Sequence, residues 1–161
     1  MTASPIDFER DVVSVVETNV DDVTGEILGR TIERLMAEGA FDATVSSFLG
    51  KKGRIGQTVR VVCSKNSSEK FARILVEETG SLGVKTTEWI RLIVPRRVVG
   101  VPVRIGNYQG QISVKVSKIA SGLRIKPELE EAKKISESEN LPLRQVMEMI
   151  TQQATGHIES E

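Results

Sequence analysis

From Glu17 to Glu26 the chain reads Glu-Thr-Asn-Val-Asp-Asp-Val-Thr-Gly-Glu, which places four carboxylates, one amide and two hydroxyls within ten residues. Oxygen ligands of this kind hold hard cations such as Mg²⁺ and Mn²⁺, so Glu17, Asp21 and Asp22 are the candidate metal ligands. Asp, Asn and Thr also satisfy the first free backbone N–H groups of a helix. Because a helical pattern begins just beyond this stretch, capping is the simpler local reading. Further along, Gly50-Lys51-Lys52-Gly53-Arg54-Ile55-Gly56 sets three glycines and three cations within seven residues. Such a loop can hold an anion on its N–H groups or serve as an ordinary solvated turn. Lysine and arginine bind phosphates, which makes Lys51, Lys52 and Arg54 the candidate phosphate ligands, joined by Lys115 from a later strand. An exposed hairpin lysine is more often simply solvated. Together the two stretches suit a metal-complexed nucleoside triphosphate. The cation would bridge Asp21 or Asp22 to phosphate oxygens, and the basic loop would neutralise the remaining charge.

For these groups to meet, a strand must deliver the first stretch and a helix must leave it. Val12 to Val16, interrupted only by Ser14, predicts a buried or half-buried strand ending at Glu17. From Val23 the pattern turns helical, with Leu28, Ile32, Leu35 and Met36 on one face and Gly39 as the stop. Gly25 and Gly29, four apart, suggest that a strand, another subunit or a ligand closely approaches the first turns. Asp42 to Leu49 and Thr58 to Cys63 predict two more strands. Ser67 or Ser68 then caps a helix striped by Phe71, Ile74 and Leu75, which Gly80 ends, and Val84 to Val94 predicts a fourth strand. This order, strand, helix, strand, strand, helix, strand, is the split βαβ pattern of a ferredoxin-like domain, an antiparallel sheet with both helices on one face.

After Pro95-Arg96-Arg97, the alternation of Val99, Val101, Val103 and Ile105, a Gly106–Gly110 turn, and Ile112, Val114 and Val116 predict a β-hairpin. Leu123 to Lys126 has the makings of a last short strand. Pro127 is placed to open a helix carrying Glu128, Glu130 and Glu131 in its first turns. Leu143, Val146, Met147, Ile150 and Ala154 stripe another helix. The expected fold is therefore α+β: an N-terminal extension at 1–11, a ferredoxin-like βαββαβ domain at 12–95, a smaller α/β portion of a β-hairpin plus two C-terminal helices at 96–154, and a flexible tail at 155–161.

The bulk composition excludes several classes. Lys plus Arg and Asp plus Glu each total 22 of 161 residues, giving a net charge of zero, and aromatics make up 4%. Neither figure favours a nucleic-acid or membrane partner. One cysteine, Cys63, rules out an intramolecular disulfide framework, and one histidine, His157, rules out a multi-histidine metal site within one subunit. No stretch has the length of a signal peptide's apolar core or a membrane span, and the expected location is the cytoplasm. Nucleophile-elbow, P-loop and paired-cysteine zinc signatures are absent.

The motif from Glu17 to Glu26, the helix ending Ala37-Glu38-Gly39-Ala40-Phe41-Asp42, and Lys51-Lys52-Gly53-Arg54 together resemble the C-terminal part of the LarC family. Glu78-Thr79, Leu82-Gly83-Val84 and Lys126-Pro127-Glu128 add to the likeness, which covers residues 12 to 150. The resemblance implies a nickel chelatase, a lyase that inserts Ni²⁺ into pyridinium-3,5-bisthiocarboxylic acid mononucleotide to make the nickel-pincer nucleotide of lactate racemase. It implies dependence on CTP with Mg²⁺ or Mn²⁺, a C-terminal region that binds CTP, and assembly into a homo-oligomer, a trimer or hexamer. Full-length members carry an N-terminal region with histidine-rich sequence. The chain is therefore expected to be half of a split protein, partnered by a separate N-terminal chain, or a stand-alone relative with a changed role. No individual catalytic residue carries over. A second reading from the fold class is a non-catalytic ferredoxin-like oligomerisation or regulatory module.

Overall fold

A computed structural model describes residues 6–159. It forms two compact units: Arg10–Leu92, and Ile93 onward together with the described residues before Arg10. In the first, β1 (Glu9–Val20) leads to α1 (Gly25–Ala37), then β2 (Asp42–Leu49), β3 (Ile55–Ser64), α2 (Ser68–Thr79) and β4 (Lys85–Ile93). The sheet order is β2-β3-β1-β4. β3 is the antiparallel partner of both β1, with Val13 opposite Ser64 and Val20 opposite Gln57, and β2, with Asp42 opposite Val62 and Leu49 opposite Ile55. This is the ferredoxin-like arrangement that the element order implies.

The period-2 rule assigns the two faces of this sheet. Val16 and Val20 of β1, Val59, Val61 and Cys63 of β3, Leu28 and Leu35 of α1, and Phe71, Ile74 and Leu75 of α2 make one buried cluster. Cys63 is fully buried there, and burial pushes its thiol pKa up, so it serves as a small core residue. α1 ends as its sequence suggests. Gly39 adopts φ +90°, and its N–H and that of Ala40 return to the carbonyls of Met36 and Leu35.

Two local expectations change. β1 does not stop at Glu17 but runs on to Val20. The reason is Thr18, which faces the core with no solvent exposure and donates to the Gly83 carbonyl at 2.8 Å, with the Ser81 hydroxyl 2.5 Å away. A threonine satisfied in this way continues the buried face as well as a valine does. Of the close approaches expected at Gly25 and Gly29, that of a strand is not found, since a Cβ on either would meet nothing within 4 Å among the described residues.

The second unit is a three-stranded antiparallel sheet, β5 (Arg96–Ile105), β6 (Tyr108–Ile119) and β7 (Gly122–Pro127), in that order, followed by α3 (Leu129–Ser138) and α4 (Leu143–Glu159). The last short strand expected at Leu123 to Lys126 is present as β7. Pro127 ends that strand instead of opening the helix: the Glu128 N–H is held by the Ser113 carbonyl at 2.9 Å, and α3 begins at Leu129. Val101, Val103 and Ile105 of β5 and Ile112, Val114 and Val116 of β6 pack with Ala132 and Ile135 of α3 and with Val146, Ile150, Ala154 and Ile158 of α4. Because Ile158 extends that i, i+4 stripe, α4 takes in residues 155–159, which were expected as tail. Residues 1–5, part of the expected N-terminal extension, and 160–161 lie outside the described residues.

Candidate functional site

The first unit brings the two chemically loaded stretches together. Asn19, Val20 and Asp21, from the end of β1 and the turn after it, face Gly50, Lys51, Lys52 and Arg54 of the β2–β3 loop across a cleft of about 530 Å³. The antiparallel register explains the meeting, because Val20 pairs with Gln57 just past the loop, while Phe48 pairs with Gly56 on the loop's other side. Arg54 Nη1 donates to Asp21 Oδ2 at 3.3 Å. Both side chains are well exposed, at 66% and 44%, so this pair is weakly held and open to exchange for another partner. Thr58 donates to Asn19 Oδ1 at 2.9 Å and fixes the amide at the cleft wall.

The loop is built for close approach. The Gly50 N–H bonds to the Arg54 carbonyl at 2.7 Å and closes the turn. Within it Lys52 has φ 60° and ψ 23°, a left-handed conformation that a non-glycine residue adopts only at a cost. The Phe48 ring lies over Gly50 and Gly56. A Cβ at Gly50 would come within 2.9 Å of that ring, and one at Gly56 within 2.5 Å of it and 2.8 Å of the Val20 carbonyl. Both glycines are therefore required by packing, and the ring becomes part of the cleft wall.

Of the three expected metal ligands, only Asp21 lines this cleft. Asp22 is exposed and outside the lining. Glu17 sits on the sheet face away from the helices, where Arg60 holds it at 3.0 Å and Lys85 at 3.5 Å. The hydrogen bond from Arg60, aided by both positive charges, keeps the Glu17 carboxyl below the usual glutamate range. Nor does the Thr24 side chain, at the N-cap of α1, make a capping bond. Among the described residues no three His, Cys, Asp or Glu side chains gather as a metal-holding group. Of the expected phosphate ligands, Lys51, Lys52 and Arg54 share the cleft. Lys115 belongs to the other unit, on β6, where it pairs with Glu128 at 2.6 Å.

Phe48, Gly56 and Asn19 were not singled out by sequence as site residues. The available signal was spacing, since an aromatic two residues before a Gly/Lys/Arg loop, with glycines at both loop ends, is what a ring laid across the turn requires.

Comparison with known proteins then places the chain. Residues 2–147 match the family model described as nickel insertion protein. A protein of Methanococcoides burtonii carrying that family name is 40% identical over 154 residues, 94% of this chain and 39% of the relative. One from Methanothrix thermoacetophila is 38% identical over 156 residues, 92% of this chain and 37% of the relative. The chain thus spans about two fifths of the length of the curated relatives it matches. Among solved structures, LarC2 superposes with a TM-score of 0.80 at 26% identity, covering 91% of this chain and 99% of that one. It is described as the C-terminal domain of a cyclometallase involved in the synthesis of the NPN cofactor of lactate racemase, in the apo form. A protein of Methanopyrus kandleri superposes with a TM-score of 0.67 at 26% identity, covering 94% of this chain and 93% of that one.

Proposed function

The chain belongs to the nickel insertion protein family and corresponds to the C-terminal LarC domain, and from that premise we propose that it is the nucleotide-binding part of a nickel chelatase. In this reading the cleft between Asp21 and the Lys51–Arg54 loop takes CTP with Mg²⁺ or Mn²⁺. The juxtaposition of one carboxylate with three cations in a single cleft carries the proposal. This donor set fits the group. A divalent ion on a triphosphate uses one or two protein carboxylates and takes its other ligands from phosphate oxygens and water. When bound, the ion supplies charge neutralisation on the phosphates.

This chain's own residues do the rest. Asp21 would hold the ion through its carboxylate, and Arg54, whose pair with Asp21 is exposed, would hold phosphate. Lys51 and Lys52 neutralise the remaining phosphate charge, with Lys52 already held by its left-handed backbone at the tip of the loop. The Phe48 ring offers an apolar wall of the kind on which a nucleobase stacks. Nickel is the cargo, and pyridinium-3,5-bisthiocarboxylic acid mononucleotide its acceptor. Insertion is assigned to the whole protein, of which this chain is the nucleotide-binding and oligomerising portion in the cytoplasm. The two compact units are taken as its domains.

Calorimetry tests the site. CTP binding that requires Mg²⁺ or Mn²⁺, weakened about tenfold or more by Asp21→Asn or Lys52→Ala, is the expected outcome for losing one charge-assisted contact. Equal binding by all three proteins, indifferent to metal, would refute the assignment.

A further inference from the structure

The sheet of the second unit has one face in the core and one free of it, and the free face is unevenly charged. The register sets Arg96, Ser117 and Arg124 side by side across β5, β6 and β7. On the next rung of that face stand Val98, Lys115 and Lys126. Residues in register share a face and those two apart continue it, so four cations and a hydroxyl occupy two neighbouring rungs. Strands lie about 4.8 Å apart, which puts the Cα atoms of Arg96 and Arg124 about 10 Å apart on either side of Ser117. Arg96 and Arg124 thus flank Ser117 on one face of the sheet.

Their charge is mostly uncompensated. Lys115 pairs with Glu128 at 2.6 Å, but among the described residues Arg96, Arg124 and Lys126 have no carboxylate within ion-pair distance and are exposed, and the Ser117 hydroxyl has no hydrogen-bond partner. Like charges opposed across strands, as Lys115 and Lys126 are, destabilise a sheet. Glu128, which pairs with Lys115 and also feels the charge of Lys126, relieves part of this opposition, and Arg96 and Arg124 are left without such a carboxylate. Val98, on the rung of Lys115 and Lys126, is 65% exposed, and on the following rung Gly100 sits opposite Ser113 with only the Gln111 amide near where a Cβ would stand.

We propose that Arg96, Ser117 and Arg124, with Lys126, bind the phosphate of a small phosphomonoester whose uncharged body lies over Val98 and Gly100. A long nucleic-acid strand fits less well. The cations span two rungs instead of tracking a backbone, and no aromatic side chain stands on those rungs for base stacking. This site uses none of the residues of the Asp21 cleft, so either can fail without the other.

The test is ribose 5-phosphate titrated into the full ¹⁵N-labelled chain. Expected are saturable shifts at Arg96, Ser117, Arg124 and Lys126, weakened about tenfold or more by Arg124→Gln or Arg96→Gln, restored in part by Arg124→Lys, and untouched by Lys52→Ala. Unchanged thermal melting of the glutamine variants separates lost binding from lost fold. Three results overturn the proposal: no saturable shift at these residues, inorganic phosphate binding as tightly as the ribose ester, or a single-stranded oligonucleotide binding more tightly than the ester at equal salt.

Discussion

Lys52 occupies a backbone conformation, φ 60° and ψ 23°, in which glycine would be comfortable and lysine is not. Such a residue costs about 1–2 kcal/mol, and a strained cation at the tip of a cleft points to use of its charge. Lys52→Gly separates the two effects. Relief of the strain, offset by the greater freedom of glycine in the unfolded chain, should leave the protein as stable or up to about 1 kcal/mol more stable, while metal-dependent CTP affinity falls. Parallel thermal and calorimetric measurements check both halves. Glu17 makes the opposite case, a motif carboxylate serving the fold. Arg60 and Lys85 depress its pKa in the folded state, so the stability it contributes is fully present above the ordinary glutamate value of about 4.3 and is lost as pH falls through the lower folded value. Glu17→Gln should therefore melt below the wild type at pH 7. Thermal scans down the pH range should show the gap closing below about pH 4, and a gap independent of pH would remove Glu17 from this role.

At the scale of elements, the cleft depends on two strands ending beside each other. β1 delivers Asn19 and Asp21, and the β2–β3 loop closes over Phe48. Gly56 is the pivot, because a Cβ there would meet both the Phe48 ring and the Val20 carbonyl. Gly56→Ala should cost about 1–3 kcal/mol as an overpacked site and weaken CTP binding by displacing the ring. Denaturant melts with calorimetry check it, and wild-type stability in this variant would contradict the packing. The order of elements, the α2 stripe and the basic loop are legible in the sequence, because periodicity and glycine stops are local signals, whereas on α1 Met36, expected on the apolar face, is exposed and Thr31 is buried with Leu28 and Leu35. What is not legible depends on tertiary contacts. Thr18 reads as a polar interruption until Gly83, 65 residues away, is seen to accept its hydrogen. Pro127 reads as a helix start until Ser113 is seen to hold the Glu128 N–H. Of the acidic pair, nothing local distinguishes Asp21 at the cleft from Asp22 outside it, since only the turn geometry sends one inward.

For the molecule as a whole, each unit carries its own apolar core, and among the described residues no helix is long and apolar enough to cross a membrane. Within the Thr-Asn-x-Asp-Asp motif, Thr18 locks the sheet through the Gly83 carbonyl and Asp21 faces the basic loop, the position from which binding is proposed. Membership of the nickel insertion protein family gives that cleft its context. The most direct test is a cocrystal with CTP and Mn²⁺, with the manganese located by its anomalous scattering. The account predicts the ion within ligand distance of Asp21, phosphate density against Lys51, Lys52 and Arg54, and the base against Phe48. Nucleotide and metal bound elsewhere, with the cleft holding only solvent, would contradict it.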